Sequence, residues 1–533
     1  MAAEPARKQV AIVLLVVYAI FWLQFRVVRP TNFGGIDEWT ILSLVLRGAV
    51  DIPYAHRPLG LLFNLPVALF PSHLLEASLL LHAHYLIGAG WLTSLCLLHC
   101  VPQRPVLALL AGVFAASWAP SDPMRLDSIY SAAYSGTTAA TGLVFLLLAR
   151  SGPRPVVSVT LAAGLAFVTT RVHEGPLPLL LLAPLLLRGL GAKLSWRAIC
   201  AYSATTALAA LVAGLPLVLG RASSWYQREI LGVYLEPVGL LERLLLQFRL
   251  HLAPMLAEPA ALLQPGALAA AALLVLALLS LGPARGASPR LERRRMLGLV
   301  ATGLLGAAAA YSSFVLAVRL PGALRTEFLA APWIGLCLAA TFVLLADLAP
   351  LRAQALVLAG LGALVVAQGS ARTKALQAYW DEGGSYPRQA GALAQVVRIA
   401  PSLRPGTLVL FIEGVPTWIG GFAFHHGLDI VYGRHVSGWV PNAREQLYYN
   451  CRMATDGFHF EPWSVLKEAW REPSRLYRFE ELVVFRSDPT GRVTLVEQWP
   501  PDLPALPEGV RYDPARRIAP TTPAPIRSGL PGF

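Results

Sequence analysis

The sequence predicts an α-helical polytopic membrane protein of about eleven transmembrane helices followed by a small α/β extracytoplasmic domain. Three observations predict it. Of 533 residues, 55% are hydrophobic and only 14% charged, far from the profile of a soluble globular chain. Apolar runs of spanning or near-spanning length recur between residues 10 and 369. Beyond them the composition turns polar. The expected organisation is therefore a membrane domain over 1–369, a soluble domain over 370–499 and a proline-rich tail over 500–533.

The first run, 10–28, follows Arg7 and Lys8. It is long for a signal peptide and no Ala-x-Ala-like site follows it, so it reads as a retained first span. The others fall at 74–98, 106–119, 132–149, 156–170, 176–187, 199–219, 266–282, 297–318, 327–346 and 354–369. The runs 106–119 and 176–187 are short for full spans. The formal charge of +13 comes without basic runs interleaved with aromatics, so nucleic acid is not an expected partner. Topology explains the excess. With Arg7 and Lys8 inside, the inner loops carry Arg104, Arg150, Arg154, Arg188, Lys193, Arg197, the run Arg285 to Arg295, and Arg352. Between residues 29 and 330 every carboxylate except Glu292 falls on the other side. The expected location is a bacterial inner membrane, with the N-terminus cytoplasmic and the C-terminal domain outside. Five cysteines, four of them in or beside apolar runs, suggest no disulfide framework.

In the tail, "GTLVLFIEG" predicts a buried strand, "PTWIGGFAFHHG" a helix or irregular turn, and "LDIVYG" a second strand. "LVVFRSDPTGRVTLVEQW" predicts a hairpin around Asp488 to Gly491. The prolines beyond Trp499 predict disorder or an extended strap.

The stretch "GGIDEWTILSLVLRGAVDIPYAHRPLG", residues 34 to 60, carries the most chemistry. Asp37 suits a helix N-cap, Glu38 a first turn, and Ile41, Leu42, Leu44, Val45 and Leu46 one apolar face ending at Gly48. This predicts a short helix lying on the outer leaflet. A second, at Leu240, Leu241, Leu244, Leu245 and Phe248, reads as a lid over a lipid or as plain docking on the bilayer. His56 and Arg57 follow the first helix. Later outer loops hold Arg125 in "SDPMRLDS", Arg171, His173 and Glu174 in "TRVHEG", and Arg319 and Arg325 in "RLPGALRTE". A single arginine there snorkels to lipid phosphates; jointly, beside acids, these suit a phosphate. Charges so near hydrocarbon are costly unless paired or facing a wet cavity. Asp37 and Asp127 together suit a divalent cation such as Mg or Mn, while Asp122 before Pro123 suits a turn. His82 and His84 point to different sides of a helix, and His425 and His426 read as fold or surface residues.

A long outward loop after the first span, an Asp-Glu at its start, an amphipathic helix and the basic-proline element "AHRPLG" resemble the GT-C superfamily of membrane glycosyltransferases. Examples are the dolichyl-phosphate-mannose protein mannosyltransferases and the aminoarabinose transferase. The family often has two prolines after the basic residue, whereas Leu59 follows Pro58 here. The resemblance implies transfer of a sugar from a polyprenyl phosphate or pyrophosphate donor to a glycan, lipid or protein acceptor on the extracytoplasmic face. Asp37, with Glu38 beside it, matches the family's first-loop acid, a general base or metal-arranging group. The rival expectation is a transporter or flippase of lipid-linked saccharides, which would place charges in mid-membrane and relate two halves by symmetry.

Overall fold

The computed structural model describes residues 7–35, 37–52, 57–117, 122–151, 155–218, 234–255, 265–281, 289–317, 327–444, 448–469 and 471–519. The chain divides into two compact units. The first comprises Met1–Val28, His82–Leu126 and Ser131–Ala378; the second comprises Arg29–Leu81, Asp127–Tyr130 and Tyr379–Phe533. Sequence placed the boundary at 369 and kept the first loop with the apolar helices. Instead that loop forms one body with the C-terminal residues.

In chain order the longer helices are α1 (Arg7–Phe25), α2 (Glu38–Leu46), α3 (Leu74–Cys100), α4 (Pro105–Ala116), α5 (Ser128–Ala149), α6 (Pro155–Val172), α7 (Leu177–Gly189) and α8 (Trp196–Val218). There follow α9 (Pro237–Leu252), α10 (Pro265–Leu281), α11 (Pro289–Val315), α12 (Glu327–Ala346), α13 (Leu351–Gly383), α14 (Tyr386–Ile399) and α15 (Gly421–Tyr432). Proline opens α4, α6, α9, α10 and α11, where its missing N–H costs nothing and its fixed φ suits the first turn.

Among the described residues six helices are long and apolar enough to cross a membrane: α1, α3, α5, α11, α12 and α13. Five shorter apolar helices stand at the other runs. All eleven expected runs are helical, and among the described residues six of them are long enough to span. The 12 residues of α4 reach only about 18 Å at the usual rise, short of a hydrocarbon core. Its surroundings explain this. Nearly every α4 residue is buried, and a Cβ on Gly335 of α12 would press within 2.9 Å of the Ala111 carbonyl. Protein, not lipid, surrounds it, and small residues let the backbones meet. Where α3 and α4 join, Arg104 pairs with Glu292, the one acid that broke the sidedness pattern. The α9 helix turns Gln247 and His251 inward and leaves Leu241 and Leu245 exposed, with Arg243 donating to the Val315 and Ala317 carbonyls.

The second unit is built on a four-stranded sheet, β1 (Thr407–Ile412), β2 (Val436–Trp439), β6 (Leu482–Ser487) and β7 (Val493–Leu495), in the order β2-β1-β6-β7. The first three run parallel, and β7 closes the predicted hairpin antiparallel to β6. A smaller antiparallel sheet joins β3 (Arg452–Ala454), β4 (Gly457–Phe460) and β5 (Arg475–Tyr477). As expected, "GTLVLFI" is a buried strand. "LDIVY" is not: it is the second half of α15, buried on every side, and Gly433 at φ 79° ends it. An unbroken apolar run reads alike as buried helix or buried strand. The proline-rich segment is a strap as far as Ala519, where Tyr512 donates to the Val496 carbonyl, accepts from the Val484 N–H, and Ile518 bridges to Leu403; 520–533 lie outside the described residues.

The α2 helix corrects another expectation. Trp39, Leu42, Leu44 and Val45 are not spread on a leaflet; they are 0–2% exposed inside one core with Phe411, Trp418, Phe424 and Phe485. Apolar side chains covering one helix face satisfy a protein core as well as a lipid surface.

Candidate functional site: a braced acidic loop and a buried ion pair

In the second unit the Asp-Glu pair divides its work. Glu38 points inward and is 1% exposed; its Oε1 accepts the Gly34 N–H at 2.9 Å. Asp127, fully buried, accepts the same N–H through Oδ2 at 3.2 Å. Its Oδ1 caps α5, accepting from the Ile129 and Tyr130 amides at 3.0 Å each. Burial, and then the neighbouring Glu38 carboxylate with its hydrogen bond, push the Asp127 carboxyl well above the usual carboxylate range. A second carboxylate so close, in so dry a site, favours the neutral form of Asp127.

Asp37 stands at the N-cap of α2, half-buried, with φ −103° and ψ −14°. Its carbonyl accepts from Ile41, but its carboxylate makes no capping hydrogen bond. An N-cap acid normally spends its side chain on its own helix. This one does not.

The Asp127 carboxylate is already engaged on every side. Three backbone amides and Glu38 take the four acceptor positions of its carboxylate. Among the described residues no three His, Cys, Asp or Glu side chains gather as cation ligands.

In the first unit Arg125 and Glu327 form a buried pair, 5% and 1% exposed, with Nη1 and Oε2 3.9 Å apart. That separation exceeds a hydrogen bond, and Nη1 makes none. Burial lowers the Arg125 pKa while Glu327 opposes it. The guanidinium lies 5.6 Å from the Phe328 ring. His82 bonds the Arg125 carbonyl through Nε2 at 2.9 Å, so Nε2 carries the proton and Nδ1 accepts from Ser135. Two residues along α12 from Glu327 begins an apolar groove bounded by Leu329, Trp333, Thr138, Phe145, Leu97 and Leu190.

Of the residues singled out from sequence, Asp37, Glu38, Arg57 and Asp127 fall in the second unit, and Arg125, Arg171, His173 and Glu174 in the first. Glu38 and Asp127 meet, though they were not expected as a pair. Arg57 closes a tight backbone bridge to Ile52 and is half-buried. His173 is buried against Tyr134 at 4.9 Å and Phe314 at 6.1 Å, its Nδ1 accepting the Gly175 N–H. Arg171 and Glu174 are half-buried. Asp122 accepts the Met124 N–H in the expected turn. His56, Arg319 and Arg325 lie outside the described residues.

Sequence reasoning missed a buried charge cluster in the second unit. Arg47 donates to Asp429 Oδ2 at 2.5 and 2.8 Å and to Glu472 Oε1 at 2.7 Å. Ser43 gives its one proton to Asp429, so the 3.2 Å contact with His426 Nδ1 makes that nitrogen the donor. His425 and Tyr449 approach Glu472 Oε2 at 3.4 and 3.3 Å. Partners nearly 400 positions apart leave no local pattern.

Replacing Glu327 with Gln should cost about 3–5 kcal/mol, because Arg125 is left as an uncompensated buried charge; thermal unfolding of the full-length protein in detergent measures it. For Asp127 the sign follows from its raised pKa. Its contribution is complete below the unfolded carboxylate value of about 4 and is lost as pH rises through the folded value. Asp127→Asn keeps the cap acceptor and gives Glu38 a donor. It should therefore gain on the parent as pH rises from about 4 to 7, while Asp127→Ala loses about 1 kcal/mol of capping throughout.

No protein-family model matches the chain, and no curated protein is significantly similar to it.

Proposed function

We propose that this protein is a GT-C-type inverting glycosyltransferase that moves a sugar from a polyprenyl phosphate or pyrophosphate to an acceptor hydroxyl on the extracytoplasmic face of a bacterial inner membrane. The observation that carries the reading is the division of the acidic pair. Glu38 is turned inward to brace the loop with Asp127 and Gly34, while Asp37, one position before it at the N-cap of α2, stands half-buried at the edge of the core. A hydroxyl attacking an anomeric carbon must lose its proton, and a fixed carboxylate takes it. As the new C–O bond forms, the bond to the carrier phosphate breaks and its electrons stay on phosphate oxygen. Single displacement inverts the anomeric centre.

Two features of the first unit support the carrier class. The groove offers an apolar lining for an isoprenoid chain. Arg125 has a guanidinium corner without a hydrogen bond, suited to a phosphate oxygen.

Mass spectrometry of lipids and glycans from cells lacking the gene tests the reading. A lipid-linked sugar should accumulate and one glycan, lipid or protein should lose that sugar. An unchanged lipid-linked pool would reject it.

A further inference from the structure

The loop that presents Asp37 is held from two sides, and only one of them is acidic. On the other side lies the first turn of α14, some 350 residues further along the chain. Ser385 is the N-cap of α14, yet its hydroxyl caps nothing there. It donates instead to the Phe33 carbonyl at 2.9 Å, and the Ser385 amide reaches the same oxygen at 3.3 Å. Gln389, fully buried, accepts the Trp39 indole N–H at 2.7 Å and donates to the Thr417 carbonyl at 3.1 Å. Between these contacts runs Gly35 at φ 80°, where a Cβ would fall on Ser385 Oγ and Gln389 Nε2. Phe33, Trp39 and Tyr386 pack ring on ring around the same point, with centroids 5.1–5.9 Å apart.

Every fixed point of this clamp lies within four residues of Asp37: Phe33, Gly35 and Trp39 on the Ser385–Gln389 side, Gly34 and Glu38 on the acidic side. A serine that gives up its own helix cap, beside a fully buried glutamine with both ends engaged, breaks local rules in a way that serves a remote loop. We infer that Ser385 and Gln389 are positioning residues for Asp37, so that the C-terminal half of the chain sets the geometry of the first-loop acid. This rests on the reading of Asp37 as base. A carboxylate displaced by about 1 Å loses on the order of 100-fold in rate without losing substrate.

The test uses the full-length protein in liposomes, with the lipid-linked sugar fraction extracted from cells lacking the gene as donor. Ser385→Ala and Gln389→Ala should each lower kcat by about 10- to 100-fold and leave KM for that fraction within about twofold. Ser385→Thr, which keeps the hydroxyl, should recover most of the Ser385→Ala loss. Should Gln389→Ala fail to fold, Trp39→Phe removes the same hydrogen bond from the other end and should give the same kcat loss. If the alanine variants turn over normally while Asp37→Asn is inactive, the positioning role is overturned and the base assignment stands. If KM rises with kcat unchanged, the clamp serves binding and the inference fails. Normal turnover by Asp37→Asn overturns both.

Discussion

Replacing Asp37 with Asn is expected to lower sugar transfer by about 10²- to 10⁴-fold, the usual contribution of a positioned general base, with no change in folding. Asparagine is isosteric and an equally good N-cap residue. The neighbouring substitution gives the opposite result. Glu38→Gln keeps a hydrogen-bonding group against Gly34 and Asp127 and removes one carboxylate from a dry acidic pair, so transfer should stay within about tenfold of the parent. Transfer from the extracted lipid-linked sugar fraction, followed by mass spectrometry of the product, measures both. Equal loss from the two substitutions would contradict the division of labour between adjacent acids.

The largest structural effect is expected at Arg47. Arg47→Ala leaves both Asp429 and Glu472 buried with their main cation gone, and removing one member of a buried ion pair costs about 3–5 kcal/mol. Two stranded carboxylates place this case at the upper end. The same cluster makes the parent acid-sensitive. Burial alone would raise the Glu472 pKa, but His425, His426 and Arg47 outweigh it and hold the carboxyl well below its ordinary range. Its contribution is present above the unfolded value of about 4.3 and is lost as pH falls. His426, held neutral by burial and by its cationic neighbours, adds a loss that begins as pH drops through about 6.5. Unfolding of the parent should therefore shift to lower temperature between pH 7 and 5. A second loss should follow below about pH 4 as Glu472 protonates, and Glu472→Gln should remove that second loss while leaving the His426 step in place.

How far sequence reached depended on the range of the interaction. The apolar runs that became α1, α3, α5, α11, α12 and α13 were legible because burial in lipid demands an unbroken apolar length. Asp37 as N-cap, Asp122 in its turn and the β6–β7 hairpin were legible from local chemistry. The short α4 was ambiguous because a helix wrapped by protein need not match the bilayer. Misreading α2 as interfacial had the same root: Leu42, Leu44 and Val45 state only that one face leaves water, and the sheet core that covers them lies 360 residues away. His425 and His426 carried no spacing signal, since their meaning comes from Arg47 and Glu472. For Ser385 a local signal existed in "GGSYPRQ", which marks a helix start. It said nothing of the hydroxyl's turning to Phe33 instead.

The central claim is that Asp37 meets water on the extracytoplasmic side. A Asp37→Cys protein with the five native cysteines replaced, in sealed right-side-out vesicles, should react with a membrane-impermeant thiol reagent added from outside. Labelling only in inverted vesicles would place the residue against the cytosol, and the glycosyltransferase account would fall with it.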